Sequence, residues 1–596
     1  MTASRGRRSG RRFHNLAIPT IAALIVLTLS VLFYYPLATV FIEAIVVNGQ
    51  LTLQVVIDVL RDPFYFGDPA RILTGEPPGT VMRDFLSSDR QLGIIGFTAY
   101  QALLSTIASV LLGVPAAYIL ARFEFWGRRT IRSLTILPFV LPSIMVAVGF
   151  VAVFGQQGTL NATLTAVGLP RTSLLYSLEA IVIAHAFYNA PLVARITTAA
   201  WESVDAGTVE TARSLGASRR RAFLDIIAPQ LYPAIFMGAA LTFVFTFGTF
   251  PIVLALGGFQ LATVEVFIYR LVQDLQYSEA AVLAIIELLI TLGVLFAYLQ
   301  FEARYTVQSS GINPLPRHRL LPRQWTAGRL VHRLALSGYI AIAFVIFIAP
   351  IASMILESLT GATGQLTFDH YRFLIERQQT AAAFQVQPWP AIRNSLLFAV
   401  GTLLVALPMG LGIAILTTRR YTGRTVVGTI AMVPLAVSGI IVGIGLLRGL
   451  VFGIQIGSFR LVVTGSVVII MAHAIAAYPF VVRTVAPGLD ALDPSLSEAA
   501  QSLGASRLDV LRDIELPMVW PGVVAGAAFV VAISIGEFSS TVILATGTDV
   551  YTIPVAIERF IGRRLGPATA MGVVLLFVTS ISFVIIDRLG GESYGL

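Results

Sequence analysis

The residues best suited to a function lie in a polar loop that the chain contains twice. The candidates are Glu210, Ala212 and Gly216 in the first copy and Glu498, Ala499, Ala500 and Gly504 in the second. In each copy an aspartate precedes the acidic stretch and can cap a helix, and the glycine permits the left-handed backbone that ends one sharply. The pattern contains no nucleophile and base of the kind that a catalytic triad needs. It therefore predicts two short helices with a break between them, in residues 202–231 and again in 490–519.

A second group of polar residues lies inside apolar stretches. His185 and His473 occupy equivalent positions near the middle of two predicted membrane helices. An ionisable group at the bilayer centre costs roughly 2.5–3.5 kcal/mol, so it should face protein or water. These histidines either line or gate a central pathway or are neutral rings held by a neighbouring helix, and their presence in both halves favours the structural role. No further ligands lie at helical spacing, so no metal site is expected.

Tyr188 and Tyr478 flank prolines that the two halves share. A proline kinks a membrane helix and frees a backbone carbonyl there. The aromatic rings therefore either stack on a flat cargo molecule or simply pack near the membrane interface.

Glu537 is unusual because the equivalent position in the first half is Thr249. An unmatched acid at a matched position breaks the symmetry of the halves, as a pathway for an asymmetric cargo would require. The alternative is a solvated carboxylate at the outer mouth.

Two residue types are missing from the chain. It has no cysteine, which excludes disulfides, thiolate metal sites and cysteine nucleophiles, and it has no lysine, so all 41 basic side chains other than histidine are arginines. A phosphate-binding P-loop ends in lysine. We therefore expect no ATPase site, no enzymatic activity and no cofactor in this chain, and any ATP must be used by a partner.

Composition indicates an all-α integral membrane protein. Of 596 residues, 56% are hydrophobic and only 12% are charged, against roughly a quarter charged in soluble domains. A membrane helix needs about 20 apolar residues. About twelve candidate spans meet this requirement: 17–46, 94–121, 131–154, 174–200, 231–256, 279–301, 334–358, 393–418, 425–449, 460–484, 517–545 and 566–588.

The arginines predict the orientation of these spans. The net charge of +9 is typical of some nucleic-acid-binding proteins, but its placement fits a membrane protein better. Arginines cluster at the N-terminus and in short loops on one side, which the positive-inside rule assigns to the cytoplasm together with both termini. The clusters are Arg5, Arg7, Arg8, Arg11 and Arg12; Arg122, Arg128, Arg129 and Arg132; Arg219, Arg220 and Arg221; and Arg419, Arg420 and Arg424. The lipid bilayer, and not nucleic acid, is thus the expected partner.

The halves of the chain are repeats of each other. Ser214–Arg219 recurs unchanged as Ser502–Arg507, and one offset of 288 residues holds without a gap from position 202 to position 250. We therefore expect a first half at 1–301, a cytoplasmic linker at 302–332 and a second half at 333–596. Because each half contains six helices, the repeats are parallel and their pseudo-two-fold axis lies along the membrane normal.

The duplicated loop resembles the EAA loop of ABC importer permeases. Its second copy has Glu498–Ala499–Ala500, then Gly504 three residues on, then Ile514 and Leu516–Pro517; the first copy departs at Thr211 and Ala228. The stretches 155–158, 184–189 and 262–269 are similar to the thiamine and iron(III) permeases, with the thiamine permease the closer likeness in the first half, and Tyr34–Leu37 is similar to iron(III) permeases. The chain thus looks like a fused double permease of type I, similar to the thiamine and iron(III) branch.

This resemblance implies partners and a mechanism. In the family the loop forms a coupling helix that docks on an ATP-binding subunit. Two copies imply two ATPase subunits on the cytoplasmic side, and an extracytoplasmic binding protein delivers the cargo for alternating access. Thiamine, iron(III), another small cation or a polyamine all fit as cargo.

Three rival interpretations remain at the level of sequence. One is an ordinary interfacial loop, which two matched copies disfavour. A second is a secondary transporter driven by an ion gradient, which also predicts repeated halves with buried acids but not two EAA-like loops. A third is a membrane-embedded enzyme, for which no cluster of catalytic groups or metal ligands exists in the sequence.

Overall fold

The computed structural model describes residues 23–47, 49–73, 75–77, 79–80, 92–134, 141–305, 313–320, 327–361, 364–376, 386–419 and 424–590. The N-terminal arginines, Arg420 and parts of the predicted linker lie outside the described residues.

Long apolar helices dominate the described part of the chain. Ten of them are long and apolar enough to cross a membrane: Ala23–Ile45, Gly93–Arg122, Ser143–Ala166, Leu178–Glu202, Arg219–Phe247, Tyr277–Glu302, Leu334–Ser358, Pro388–Thr418, Ser466–Asp490 and Leu565–Ile586. Two bent pairs raise the number to twelve if each pair is one span: Val426–Ala436 with Gly439–Val451, bent by 97°, and Arg507–Met518 with Trp520–Gly536, bent by 75°. The prediction of an all-α membrane protein with about twelve spans in two repeats is confirmed.

Shorter elements connect the spans. The short helices include Gln54–Arg61, Pro63–Phe66, Ala70–Leu73, Arg128–Leu134, Ala206–Ser214, Pro251–Gly257, Val264–Gln273, Asp369–Ile375, Pro494–Ser502, Ser539–Leu544 and Ile553–Ile561. Three two-stranded pairings occur among the described residues: Val46–Val47 with Gln50–Leu51, Phe123–Glu124 with His318–Arg319, and Ile454–Ile456 with Phe459–Leu461.

Two helices end earlier than hydropathy predicts. The helices expected over 231–256 and 517–545 stop at Phe247 and Gly536. In each half the apolar run continues, but a break of a few residues follows, and Pro251 begins the next short helix of the first half. Hydropathy alone does not register such a break, because the residues on both sides of it are equally apolar.

The described chain divides into two compact units that cut across the sequence halves. One comprises the described parts of Met1–Glu43, Leu374–Ala556 and Val574–Leu596; the other comprises those of Ala44–Phe373 and Ile557–Val573. The first helix of each half therefore packs in the unit that holds the bulk of the other half. The predicted halves, 1–301 and 333–596, describe the repeat in the sequence. The two compact units describe which helices pack together.

In the first unit, the helix Ala23–Ile45 packs against helices of the second half. Ile25 and Leu29 join a buried cluster that includes Tyr478. Gly445 makes the approach close, since a Cβ added there would lie 2.7 Å from the Pro36 carbonyl oxygen. Such a distance leaves no room for a side chain, so the glycine is a requirement of this helix contact.

The second unit repeats this arrangement with the helix Leu334–Ser358. Phe347 packs against the buried cluster of Leu112 and Ala186. A Cβ added to Gly149 would lie 2.9 Å from the Pro350 carbonyl oxygen. In both units, a glycine that faces a proline carbonyl thus allows close packing of the helix that comes from the other half.

Candidate functional site

Each duplicated loop begins with a capped helix. The helix Ala206–Ser214 starts at Asp205, whose Oδ2 accepts hydrogen bonds from the Thr208 backbone N (3.0 Å) and Oγ1 (3.1 Å). The helix Pro494–Ser502 starts in the same way at Asp493, which accepts from the Ser495 backbone N at 2.9 Å. These hydrogen bonds hold the pKa of both aspartates below the ordinary value of 3.8. The caps keep both helices ordered at the surface.

Each of these helices ends in the same backbone motif. Gly504 has φ +96°, its N donates to the Gln501 carbonyl (3.0 Å), and the Ala505 N donates to the Ala500 carbonyl (3.0 Å). Gly216, with φ +93°, repeats these bonds one by one. This is the Schellman ending, in which a left-handed residue reverses the chain and satisfies the last carbonyls. The glycines therefore set the break between the two short helices, as the sequence predicted.

The outward surface of each loop presents a glutamate and small apolar side chains. Glu210, Glu498 and Ala499 are exposed, and Ala212 and Ala500 are partly exposed. Sequence reasoning missed Leu215 and Leu503, which are 84% and 90% exposed at the helix ends. The signal was present, since both leucines lie within the repeated Ser–Leu–Gly–Ala–Ser–Arg stretch. Each turn therefore presents a carboxylate and a nearly fully exposed leucine to the solvent.

Ion pairs fasten the first loop to its surroundings. Glu202, at the end of the helix that precedes the loop, lies 2.8 Å from Arg128, 3.2 Å from Arg132 and 3.0 Å from Arg317. Arg128 is buried, and its Nε also donates to the Leu120 carbonyl at 2.8 Å. The loop therefore starts from a fixed anchor in which one carboxylate joins three arginines.

A different ion pair supports the second loop. Glu515 is buried and accepts hydrogen bonds from the Arg419 guanidinium (2.5 Å) and from Ser497 Oγ (3.2 Å). Ser497 belongs to the helix Pro494–Ser502, so the pair connects this helix to the end of a membrane helix. The position equivalent to Glu515 in the first half is Ile227, and sequence comparison gave no indication of this pair.

Of the candidate pathway residues, His185 lies in a buried polar contact between two helices. Its Nδ1 is 2.8 Å from Gln101 Nε2 and 3.2 Å from Ser105 Oγ. Tyr188, one turn later, donates through its hydroxyl to the Leu141 carbonyl at 3.4 Å. The His185 contact joins two helices, and the Tyr188 contact reaches the segment just before the helix Ser143–Phe154. Contacts of this kind fit a structural role for both residues.

The structure brings His473 and Glu537 together in the other unit. His473 is fully buried, with Nδ1 2.9 Å from Ser534 Oγ and Nε2 2.8 Å from Thr541 Oγ1. A Glu537 oxygen lies 3.6 Å from the same Nε2. Glu537 is nearly buried and accepts from the backbone N of Ser540 (3.0 Å) and of Thr541 (3.1 Å). The carboxylate therefore caps the short helix Ser539–Leu544.

Tyr478 is also fully buried, and its hydroxyl donates to the Ala431 carbonyl. A ring in that environment packs between helices. Within the described residues, no group of three or more histidine, aspartate or glutamate side chains is arranged to hold a metal ion.

Comparison with known proteins gives two matches to one family. Residues 109–306 and 406–590 each match the family described as "binding-protein-dependent transport system inner membrane component". The two matches correspond to the two sequence halves, and each includes one copy of the duplicated loop.

Several curated relatives match most of the chain. The thiamine transport system permease protein ThiP of Escherichia coli is 27% identical over 513 residues, which cover 84% of this chain and 89% of the relative. ThiP of Brucella abortus is 28% identical over 501 residues, covering 83% and 86%. The ferric transport system permease protein FbpB of Actinobacillus pleuropneumoniae is 25% identical over 543 residues, covering 89% and 75%.

Proposed function

The chain belongs to the family of binding-protein-dependent transport system inner membrane components, as a fused double permease of an ABC importer, and from this premise we propose how it works and what it carries. Members of the family act as the multi-pass membrane component of importers that also use an ATPase and a substrate-binding protein. In our proposal two ATPase subunits dock on the two coupling helices, Ala206–Ser214 and Pro494–Ser502. The observation that carries this proposal is the pair of matched, capped and exposed helix turns.

The orientation follows from charge. Arg122 ends a membrane helix, and Arg128 and Arg132, which follow it, pair with Glu202 near the first coupling helix. Arg219–Arg221 begin the short helix that follows that coupling helix after residues 215–218. The positive-inside rule places such arginine-rich loops in the cytoplasm, where ATP is available. Both termini then also lie in the cytoplasm. In our proposal the chain itself hydrolyses no ATP, because a P-loop requires the lysine that its sequence lacks, and any cofactor such as ATP is used by the partner subunits.

The mechanism we propose is alternating access. Closure of two ATPases around ATP moves both coupling helices, and the rigid Schellman turns transmit the motion to the membrane helices that follow. A binding protein presents thiamine or iron(III), the solutes named for the relatives. Identification of the ligand that co-purifies with the partner binding protein decides between these cargoes.

The proposal is tested with the purified chain in lipid nanodiscs. We expect it to bind the ATPase subunit of its importer, and we expect Glu498→Arg to weaken that binding by inverting a charge on the exposed coupling helix. ATP-dependent uptake into proteoliposomes is the second readout. Uptake that persists without ATP but requires an ion gradient would refute the importer mechanism in favour of a secondary transporter.

A further inference from the structure

Part of the linker between the halves is bound to the first coupling helix. Residues 313–320, which we call the strap, lie in the same compact unit as the helix Ala206–Ser214. The Ala206 backbone N donates to the Asn313 carbonyl at 2.9 Å. Farther along, His318–Arg319 pairs as a parallel strand with Phe123–Glu124. The strap is therefore held by backbone bonds at both of its ends.

Side chains add to this attachment. The Arg317 guanidinium donates to Glu202 at 3.0 Å, so the strap supplies one of the three arginines around that carboxylate. Leu315 packs against a buried apolar cluster that also contacts Val209 of the coupling helix. The strap thus connects to the coupling helix by one backbone hydrogen bond and through a shared apolar cluster, and its ion pair with Glu202 ties it to the end of the preceding membrane helix.

The second coupling helix is built to begin without such a strap. Its first residue is Pro494, where the first copy has Ala206. Proline has no backbone N–H, so the bond that Ala206 gives to the strap is impossible at Pro494. Proline at this first helical position is otherwise favourable, since its N–H would have no partner within the helix. The two helix starts are therefore chemically different although both are capped by aspartate.

The two loops also differ in charge. Residues 206–225 contain four arginines and two carboxylates, whereas the matched residues 494–513 contain two arginines and three carboxylates. The strap adds the exposed side chains of His318 and Arg319 on the side of the first loop. The first surface is thus basic and the second is slightly acidic.

We propose that the strap completes the first docking surface, so that one ATPase subunit binds a composite, basic surface of coupling helix and strap, while the other binds the second coupling helix alone. An acidic rim on the ATPase is the chemistry that fits the first surface. This inference rests on the proposed function. It makes the two docking sites of one chain unequal, with the strap as a positioning element for the first.

The sharpest test is Ala206→Pro with Pro494→Ala as its matched control. Asp205, with ψ 124°, already has the extended backbone that a residue before proline requires, so the helix should be kept while one hydrogen bond to the strap is lost. We expect a loss of about threefold to tenfold in affinity for one of the two ATPase subunits. Pro494→Ala should leave the affinity of the first docking site unchanged, because among the described residues the strap is bound at the first coupling helix and not at the second.

The measurement is ATPase stoichiometry on the full chain in nanodiscs, followed by native mass spectrometry during dilution. On dilution, the Ala206→Pro variant should lose one of its two ATPase subunits at concentrations where the wild-type chain still binds both. Arg317→Gln, which breaks the ion pair and leaves the backbone untouched, should do the same.

Two different failures are distinguishable. If both variants lose their ATPase subunits at the same concentrations as the wild-type chain, the strap is not part of the docking surface and the inference is refuted. If wild type itself binds no ATPase, the proposed function fails and the inference fails with it.

Discussion

Replacing Gly504 by alanine isolates the role of the break in the coupling helix. Gly504 has φ +96°, and its N donates to the Gln501 carbonyl. An added Cβ would meet no atom within 4 Å, so alanine causes no clash. The whole effect of the substitution is then the strain of a left-handed backbone at an L-residue.

The free-energy cost of this strained backbone sets the expected effect of Gly504→Ala on ATPase docking. A left-handed conformation costs an ordinary L-residue about 1–2 kcal/mol, which corresponds to roughly a fivefold to thirtyfold change in an equilibrium. We therefore expect Gly504→Ala to weaken ATPase docking by this factor, because the strained turn is replaced by a longer or frayed helix that no longer presents Leu503 and Glu498 in one arrangement. The assay is titration of the purified ATPase against the chain in nanodiscs.

Asparagine separates backbone strain from side-chain size. Asparagine is larger than alanine but tolerates the left-handed region. Gly504→Asn should therefore bind better than Gly504→Ala. Gly562→Ala, where the added Cβ also meets nothing within 4 Å, is the control for loss of a surface glycine. Weaker binding by the asparagine variant than by the alanine variant would refute the reasoning, since it would point to steric exclusion.

Three further predictions follow from buried or capped groups. Glu515→Gln should lower stability by about 2 kcal/mol, because the Arg419 guanidinium loses a buried anionic partner, and thermal unfolding in detergent measures this. Gly445→Ala should lower it by about 1–3 kcal/mol in the same assay, because the new Cβ would lie 2.7 Å from the Pro36 carbonyl oxygen. The pKa of Asp493 is lowered in the folded loop, so its contribution is complete above the ordinary value of 3.8 and is lost as pH falls through the folded pKa. Hydrogen exchange in the second coupling helix should therefore rise at low pH in wild type and not in Asp493→Asn, since asparagine caps without titrating.

Each of these has a matched control. Arg424→Gln removes the exposed pair with Asp490 and should change stability by less than about 1 kcal/mol. Gly293→Ala adds a Cβ that meets nothing within 4 Å in another membrane helix. Controls as damaging as the test substitutions would show that the ion pair and the close approach carry no special energy. An unchanged pH profile in Asp493→Asn would show that another group titrates.

The sequence predicted those parts of the site whose causes are local. A helix cap, a glycine with positive φ and an exposed acid depend on neighbours within a few residues. The repeat therefore predicted the matched starts and ends of the helices at Asp205, Gly216, Asp493 and Gly504. Its offset also holds for the preceding membrane helices, Leu178–Glu202 and Ser466–Asp490.

The parts that escaped prediction depend on distant neighbours. Nothing in the composition of Ala23–Ile45 tells that it packs with the second half, because any apolar helix satisfies the same hydropathy. Arg419 and Glu515 are separated by 96 residues, and the position matched to Glu515 in the first half is the uncharged Ile227. The strap was predicted only as a linker, since its hydrogen bond to Ala206 joins two backbone atoms and therefore leaves no mark in the sequence.

The pattern of matched and unmatched residues has a physical explanation. The turn of each coupling helix must have the same shape, and backbone geometry fixes which residues allow it, so both copies keep aspartate at the start and glycine at the end. The contacts that hold each turn in place need not be the same. In the second half the contact is the ion pair of Arg419 with Glu515, and in the first half it is the hydrogen bond to the strap. Because the two halves are one chain, each coupling helix always has the same neighbours, so its support can differ from that of its copy without cost to the other. Fusion of the two permease halves therefore permits two turns of the same shape to be held by different contacts. The differing first residues of the coupling helices, Ala206 and Pro494, are the simplest place to test this.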